Sequence, residues 1–260
     1  MKNRDFSFLN DPSNDDKRLL STFLDWTEMA EEKYITKYSA FLDERQCKLC
    51  DKVMASVKYE NYLLWGGYKN AERRMLCVYP PYSDENITDT FPIHVVTFRY
   101  REEDHLDHRD FLGSLMSLGI SRGCVGDILV NKGRTAVFVK DTILRDVMGI
   151  SKIGRVGVKA EEGFDASAIR EPEFRELTGT VASLRLDSVV SLAVRISREK
   201  ASALIKCGMV EVSHEKTDQP SKTVEIGDKI SVRGHGKFLL KSVDGISHKD
   251  RMHITICKYI

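Results

Sequence analysis

Basic side chains recur through the last third of the sequence, at the edges of predicted helices and strands. The side chains predicted to contact phosphates are Arg185, Arg198, Lys200, Lys206, Arg233, His235, Lys237, Lys249 and Arg251. A compact basic face binds phosphates by displacing their counterions, so binding should weaken steeply with salt. For a single residue the alternative is a solvated surface charge, but clustering in one segment favours a nucleic-acid contact.

The net charge of +1 conceals an uneven distribution along the chain. Residues 1–75 hold 13 basic and 13 acidic residues, and residues 76–180 hold 13 and 17. Residues 181–260 hold 14 basic and 9 acidic residues, which leaves +5 there, together with four of the seven histidines. This asymmetry predicts that the C-terminal part binds a polyanion.

Two short helices must position the first of these side chains. Apolar spacing predicts one helix from Arg185 to Ile196 and another from Arg198 to Cys207. Ser197 can cap the second helix, and Gly208 suits the positive φ that ends it. Strands are predicted over Met209–Ser213, Val224–Ile226 and Lys229–Arg233, with a turn at Gly227-Asp228.

These residues and their spacing resemble the S-four domain, an RNA-binding domain first described in a ribosomal small-subunit protein. The resemblance is carried by Arg185-Leu186-Asp187, Ser197-Arg198, Ala201, Ile205, Gly208, Val210, Val212, Gly227-Asp228 and Ile230. Ser213 departs from it, because that family usually has Asn there. The resemblance implies that residues 183–260 form an RNA-binding module.

The rest of the chain predicts an α+β protein with two further parts. Helical spacing over residues 15 to about 60 predicts a helical N-terminal subdomain at 1–75. Residues 76–165 predict strand, helix, strand, strand, helix, strand, with a hairpin turn at Asn131-Lys132-Gly133; this is the split-βαβ order of ferredoxin-like domains. Polar and acidic residues 166–182 predict a connector with an added strand.

Many RNA-recognition domains share that ferredoxin-like order and stack bases on paired aromatic residues of the central strands. Phe98 and Phe138 are the candidates here, but the paired aromatic signature is missing. Only the fold resembles such a domain, and fold alone does not establish RNA binding.

The middle and the end of the chain together resemble the bacterial YlmH family. The resemblance is carried by Arg109-Asp110-Phe111-Leu112-Gly113, Leu118-Gly119-Ile120, Arg122, Gly126-Asp127-Ile128, Ile153-Gly154-Arg155-Val156, 233–238, Gly245, Lys249 and Arg251. It implies a non-enzymatic RNA-binding protein that holds ribosomal RNA and tRNA on obstructed large ribosomal subunits during alanine tailing. The family's genes lie near cell-division genes, so a scaffold for division proteins is an alternative.

An RNA-modifying enzyme with an appended S-four domain is a second alternative. Arg185-Leu186-Asp187 superficially fits a pseudouridine synthase, but no Thr-x-Gly follows, and Asp187 can pair with Arg185. Asp110 and Asp127 are the nearest approach to a catalytic carboxylate pair, and a helix cap explains Asp110 better. No phosphate-binding GxxxxGK[ST] loop occurs. The sequence predicts no catalytic residue, no cofactor and no small-molecule substrate.

Cysteine and hydropathy patterns predict neither a metal nor a membrane. Cys47 and Cys50 form one CxxC inside a predicted helix, without the second pair that a zinc site needs, so packed thiols are expected. His105 and His108 likewise lack partner ligands. The N-terminus has no apolar signal core, and no run approaches the roughly 20 apolar residues of a membrane span. A cytoplasmic protein is expected.

Overall fold

A computed structural model describes residues 6, 13–82, 86–164, 174–213, 215–246 and 251–259. The chain forms two compact units, Met1–Ile169 and Arg170–Ile260. Helices and antiparallel sheets occur in both units, so the predicted α+β class is confirmed.

Six α-helices are present in the described residues. They are α1 (Asn14–Lys33), α2 (Glu44–Ser56), α3 (His108–Ser117), α4 (Leu144–Met148), α5 (Leu186–Val194) and α6 (Arg198–Lys206). The strands of the first unit are β1 (Lys37–Leu42), β2 (Tyr62–Trp65), β3 (Arg74–Val78), β4 (Ile93–Arg99), β5 (Val125–Asn131), β6 (Arg134–Lys140), β7 (Lys152–Ile153), β8 (Val156–Gly157) and β9 (Lys159–Glu162). The strands of the second unit are β10 (Phe174–Val181), β11 (Val210–Val212), β12 (Glu215–Lys216), β13 (Lys229–Val232), β14 (Gly236–Ile246) and β15 (Met252–Tyr259).

The N-terminal part combines two helices with a sheet. Ser13 and Asp43 form capping boxes that satisfy backbone N–H groups at the starts of α1 and α2. Both helices pack on one face of a three-stranded antiparallel sheet of order β1-β3-β2. The helical subdomain predicted at 1–75 therefore also contains strands, the prediction of helix is wrong at β1, and β3 crosses the predicted boundary.

The error arose at β1, whose residues have near-helical apolar spacing. The register of β1 against β3 shifts between Tyr38 and Phe41. Such a bulge breaks the strict alternation that identifies a strand from its sequence. Beyond the bulge, Leu42 faces the helices and Phe41 faces the opposite side, and both are buried because both faces of this sheet are covered.

The middle part has the predicted order of strand, helix, strand, strand, helix, strand, with the short hairpin β7-β8 added before its last strand. Its antiparallel sheet has the order β5-β6-β4-β9. One face packs against α3 and α4, where Phe98 and Phe111 are fully buried. The turn between β5 and β6 lies at Lys132-Gly133, as the sequence predicts, and Gly133 has φ +73°.

The other face of this sheet packs against the N-terminal sheet. Phe138 of β6 is fully buried in a cluster with Phe41 and Met75 from β1 and β3. Approach is so close at Gly126 that an added Cβ would lie 2.7 Å from the Phe41 ring. The first unit is therefore a helix–sheet–sheet–helix sandwich. Neither Phe98 nor Phe138 is available to stack on a base.

The second unit is built on a six-stranded antiparallel sheet of order β10-β15-β14-β13-β11-β12. Helices α5 and α6 pack on one face, where Leu186, Val190 and Ile205 join Phe238 and Ile256 in the core. Strand β10 pairs along its whole length with β15. The segment predicted as a connector at 166–182 thus contributes an integral strand; residues 165–173 lie outside the described part.

Candidate nucleic-acid interface

A buried carboxylate holds two of the predicted arginines at the start of α5. Arg185 is the extended residue that precedes the helix, and its Nε and Nη2 donate to the two Asp187 oxygens at 3.3 and 3.0 Å. Arg198, placed by the Ser197 cap at the first position of α6, donates to the same oxygens at 3.1 and 3.2 Å. One acidic group therefore orients two partly exposed guanidinium groups.

The charge state of Asp187 follows from this arrangement. Burial alone would raise the pKa of the carboxyl group, but hydrogen bonds from Arg185 and Arg198 outweigh it and hold the pKa below its usual value. Asp187 is thus ionised at neutral pH. Because its single charge offsets only one of two cations, the cluster remains positive.

A cleft of about 380 Å³ lies beside this cluster. Arg195, Arg198 and Arg251 line it, together with the hydroxyl groups of Ser188 and Ser191. The Arg251 Nη2 donates to the Thr180 carbonyl oxygen at 2.8 Å, which ties the arginine to β10. The three guanidinium groups supply donors for phosphate oxygens, whereas the hydroxyl groups of Ser188 and Ser191 already donate to Asp187 and to the Ile196 carbonyl oxygen.

A second cleft, of about 190 Å³, shares Arg195 with the first. Arg175, His235 and Lys258 also line it. Arg195 caps the C-terminus of α5 in the left-handed conformation, with φ 60°. Glycine adopts this conformation without strain, so an arginine here carries a small backbone cost.

The structure separates the predicted phosphate contacts. Arg198 and Arg251 line the larger cleft and His235 the smaller one, while Arg185 lies in the Asp187 cluster. Lys200 and Lys206 are exposed on α6, and Arg233 is exposed after β13. Lys249 lies outside the described residues.

Lys237 lies on the opposite side of the sheet from the helices. Its neighbour Phe238 pairs with Ile230, and both are buried in the core beneath α5 and α6. Side chains alternate between the faces of a strand, so Lys237 points to the other face. The prediction that Lys237 shares a surface with Arg185 and Arg198 is therefore wrong, and phosphate contact by Lys237 remains a prediction.

Sequence reasoning missed Arg195, Arg175 and Lys258. Arg195 falls inside the helix predicted from Arg185 to Ile196, whereas α5 ends at Val194 and Arg195 caps it. Arg175 and Lys258 had no local signal, because they become neighbours only when β10 pairs with β15.

The candidate carboxylate pair has a structural explanation at both positions. Asp110 belongs to the capping box of α3, where its oxygen accepts from the Asp107 N–H at 2.8 Å. Asp127 is buried and accepts from the Tyr68 hydroxyl and from the backbone N–H groups of Glu72 and Arg73. These bonds leave the two carboxylates engaged in separate structural roles.

The CxxC pair lies in the hydrophobic core of the first unit. Cys47 and Cys50 are fully buried on α2, and burial raises the pKa of Cys47 to about 11 and that of Cys50 further. Both thiols are therefore protonated at neutral pH. Among the described residues there is no group of His, Cys, Asp and Glu suited to a metal ion. None of the helices described is long and apolar enough to cross a membrane.

Comparison with known proteins defines the class of the molecule. A family model described as a putative RNA-binding domain in YlmH matches residues 87–164. Ribosome-associated protein quality control protein P2 of Bacillus subtilis (strain 168) is 31% identical over 247 residues, which cover 93% of this chain and 94% of that protein. The chain belongs to the YlmH family.

A solved structure shares part of the fold. It is the cell division protein YlmH from Streptococcus pneumoniae, with a TM-score of 0.50 and 24% sequence identity. The similarity covers 60% of this chain and 94% of that chain.

Proposed function

We propose that this protein is a non-enzymatic, cytoplasmic RNA-binding factor of the translation machinery. It holds ribosomal RNA and tRNA on obstructed large ribosomal subunits during ribosome-associated quality control. The observation that carries this proposal is Arg195, which joins two clefts lined by basic side chains next to the Asp187 cluster. Guanidinium groups fixed at several points suit the phosphate backbone of a folded RNA better than a small ligand.

We also infer the type of fold of the middle part and of the C-terminal part of the chain. The sheet order β5-β6-β4-β9, with α3 and α4 on one face, supports a ferredoxin-like domain. The α5–α6 pair, the Ser197 cap and Gly208 at φ +67°, followed by β11, support an S-four domain. In this proposal the S-four domain is the principal RNA contact.

The non-enzymatic character rests on the engaged state of the candidate acids. Asp187 is saturated by Arg185 and Arg198, and Asp127 by Tyr68 and backbone N–H groups. A general acid or base needs a proton-transfer path to its substrate, which such engagement obstructs. The ribosomal target is supported by the Bacillus subtilis relative, whose name places that protein in ribosome-associated quality control.

The test is sedimentation of the tagged full-length protein with cell lysate through sucrose gradients at low and high salt, followed by sequencing of crosslinked RNA. Co-migration with large subunits that high salt disrupts, with ribosomal RNA and tRNA crosslinks, is the expected result. Arg195→Glu should reduce RNA affinity by about tenfold or more and lower the salt dependence, because one phosphate contact is lost.

The matched control is Arg18→Glu, the same charge reversal at a largely exposed arginine of α1. It should leave sedimentation and crosslinks unchanged. Wild-type protein that migrates free of ribosomes without crosslinked RNA would overturn the proposal and leave the division scaffold as the surviving alternative. Equal losses in both variants would mean that the clefts are not the RNA contact.

A further inference from the structure

The sheet face of the second unit opposite α5 and α6 carries a row of aromatic and basic side chains. Phe174 of β10 pairs with Tyr259 of β15, and Lys237 of the neighbouring strand β14 lies next to Tyr259. Arg175 and Lys258, one position along their strands, line the smaller cleft on the helix side. Alternation along the strands therefore places Phe174, Tyr259 and Lys237 together on the opposite face.

The three side chains are in direct contact. The ring centroids of Phe174 and Tyr259 are 4.9 Å apart, with an interplanar angle of 69°. The Lys237 Nζ lies 5.3 Å from the centroid of the Tyr259 ring, within the range of a cation–π interaction. Tyr259 is thus held between a cation and a second ring, and it supports the Phe174 ring from its side.

The Phe174 ring is open to solvent. The residue is 41% exposed, whereas Phe98, Phe111, Phe138 and Phe238 are all buried. Exposure of a large ring on a strand forgoes the stabilisation that burial would supply. In the neighbouring row Lys241 and Glu176 form an ion pair at 2.5 Å, so the face combines an open ring with an adjacent cation and a polar surround.

We propose that Phe174, supported by Tyr259 and Lys237, stacks against an unpaired base of the bound RNA. This inference rests on the proposed function and adds a second contact, on the opposite side of the sheet from the arginine clefts. An aromatic face accepts any base, and a neighbouring cation meets the phosphate that follows it. Strand β10 is an edge of the sheet, and Phe174 and Arg175 are adjacent on it, so the shortest path for an RNA segment between the two faces passes this edge.

The test compares two short RNAs of equal length, a hairpin with an unpaired loop and a fully paired duplex, by fluorescence anisotropy with the full-length protein. Phe174→Ala should bind the hairpin about tenfold more weakly, with an unchanged salt slope, because stacking carries no counterion release. Binding to the duplex should not change. Phe174→Trp should retain wild-type affinity, and its fluorescence should be quenched by the hairpin.

Two further variants separate stacking from folding. Phe174→Leu keeps the apolar bulk without a π face and should lose as much hairpin affinity as Phe174→Ala. Tyr82→Ala removes a tyrosine of the first unit that is 85% exposed and should have no effect. Circular dichroism and thermal melting confirm that each variant is folded.

The outcomes distinguish this inference from the function on which it rests. If the wild type binds neither RNA, the proposed function fails. If Arg195→Glu loses affinity while Phe174→Ala and Phe174→Leu bind the hairpin normally, the clefts stand and the stacking site is refuted. Equal losses of affinity for hairpin and duplex would also refute stacking. If Phe174→Ala bound both RNAs normally but no longer bound a protein partner, stacking would likewise be refuted.

Discussion

The two largest sheets described in this molecule each have helices packed on one face. They differ in whether the second face is covered. In the first unit the sheet of β4, β5, β6 and β9 packs its second face on the N-terminal sheet, and Phe138 is fully buried there. In the second unit the corresponding face carries Phe174, which is 41% exposed. A phenylalanine on a strand thus becomes core or contact surface according to the layer that covers it, which the strand's own sequence does not encode.

The largest effect is expected when the stabilities of the Phe138→Ala and Phe174→Ala variants are compared. Phe138→Ala should lower the free energy of unfolding of the first unit by about 3–5 kcal/mol, because it opens a cavity between two sheets. Phe174→Ala should change stability by less than about 1 kcal/mol, since its ring is already partly solvated. Urea unfolding followed by tryptophan fluorescence measures the first effect, because both tryptophans, Trp26 and Trp65, lie in the first unit.

Far-UV circular dichroism follows both units in the same titration and measures the Phe174→Ala variant. If Phe174→Ala lowered the free energy of unfolding by several kcal/mol, Phe174 would be a core residue, and the contrast with Phe138 would be contradicted. If Phe138→Ala were as stable as the wild type, the assignment of Phe138 to the core would be contradicted.

A smaller loss of stability is expected at low pH from the ion pair that joins α1 and α2 in the first unit. Asp16 of α1 accepts from Arg45 of α2 at 2.8 and 2.6 Å, and these bonds lower its pKa from 3.8 to about 2. Stability from this pair is complete above pH about 4 and is lost as the pH falls toward about 2. After allowance for solvent screening, the loss should be about 1 kcal/mol in the first unit, measured by urea unfolding across this pH range.

The control for this pH dependence is the adjacent acid. Asp16→Asn should flatten the acid limb of the stability curve, whereas Asp15→Asn, at a side chain that is 93% exposed, should leave it as in the wild type. An unchanged acid limb in Asp16→Asn would assign the acid sensitivity to other groups.

The smallest expected effect is a gain in stability. Arg195→Gly should stabilise the second unit by about 0.5 kcal/mol, because relief of left-handed strain exceeds the added chain entropy of glycine. RNA affinity should fall by about tenfold at the same time, through loss of the guanidinium group. Thermal unfolding and RNA titration of one preparation measure both changes.

Tyr34→Gly supplies the matched control in the first unit, because Tyr34 caps α1 in the left-handed conformation with φ 56°. It should gain similar stability and keep its RNA affinity. Reduced stability of Arg195→Gly with normal RNA binding would show that Arg195 serves the fold rather than the clefts.

Local signals in the sequence predicted local structure well. The Ser197 cap, the positive φ of Gly208 and the turn at Lys132-Gly133 were all predicted, because each depends on a few neighbouring residues. Strand β1 was mistaken for helix because its bulge against β3 obscured the alternation. The role of β10 was underestimated because its partner β15 lies far along the chain.

The candidate interface was predictable in composition but not in arrangement. The basic character of the C-terminal part follows from counting charges, and Arg198 and Arg251 do line one cleft. The position of Lys237 on the other face was not predicted, because it depends on the strand register that pairs Ile230 with Phe238. Arg175 entered the site through a long-range pairing of the same kind.

The pairing of β10 with β15 also determines when the clefts can exist. Thr180 and Arg251, which meet in the larger cleft, come from opposite ends of the second unit's sequence. Contacts between distant segments form late, because the intervening chain must first be ordered. During synthesis β10 remains without its partner until β15 leaves the exit tunnel, so the larger cleft cannot form before that point. Competence to bind RNA through this cleft is thus acquired only after translation of β15.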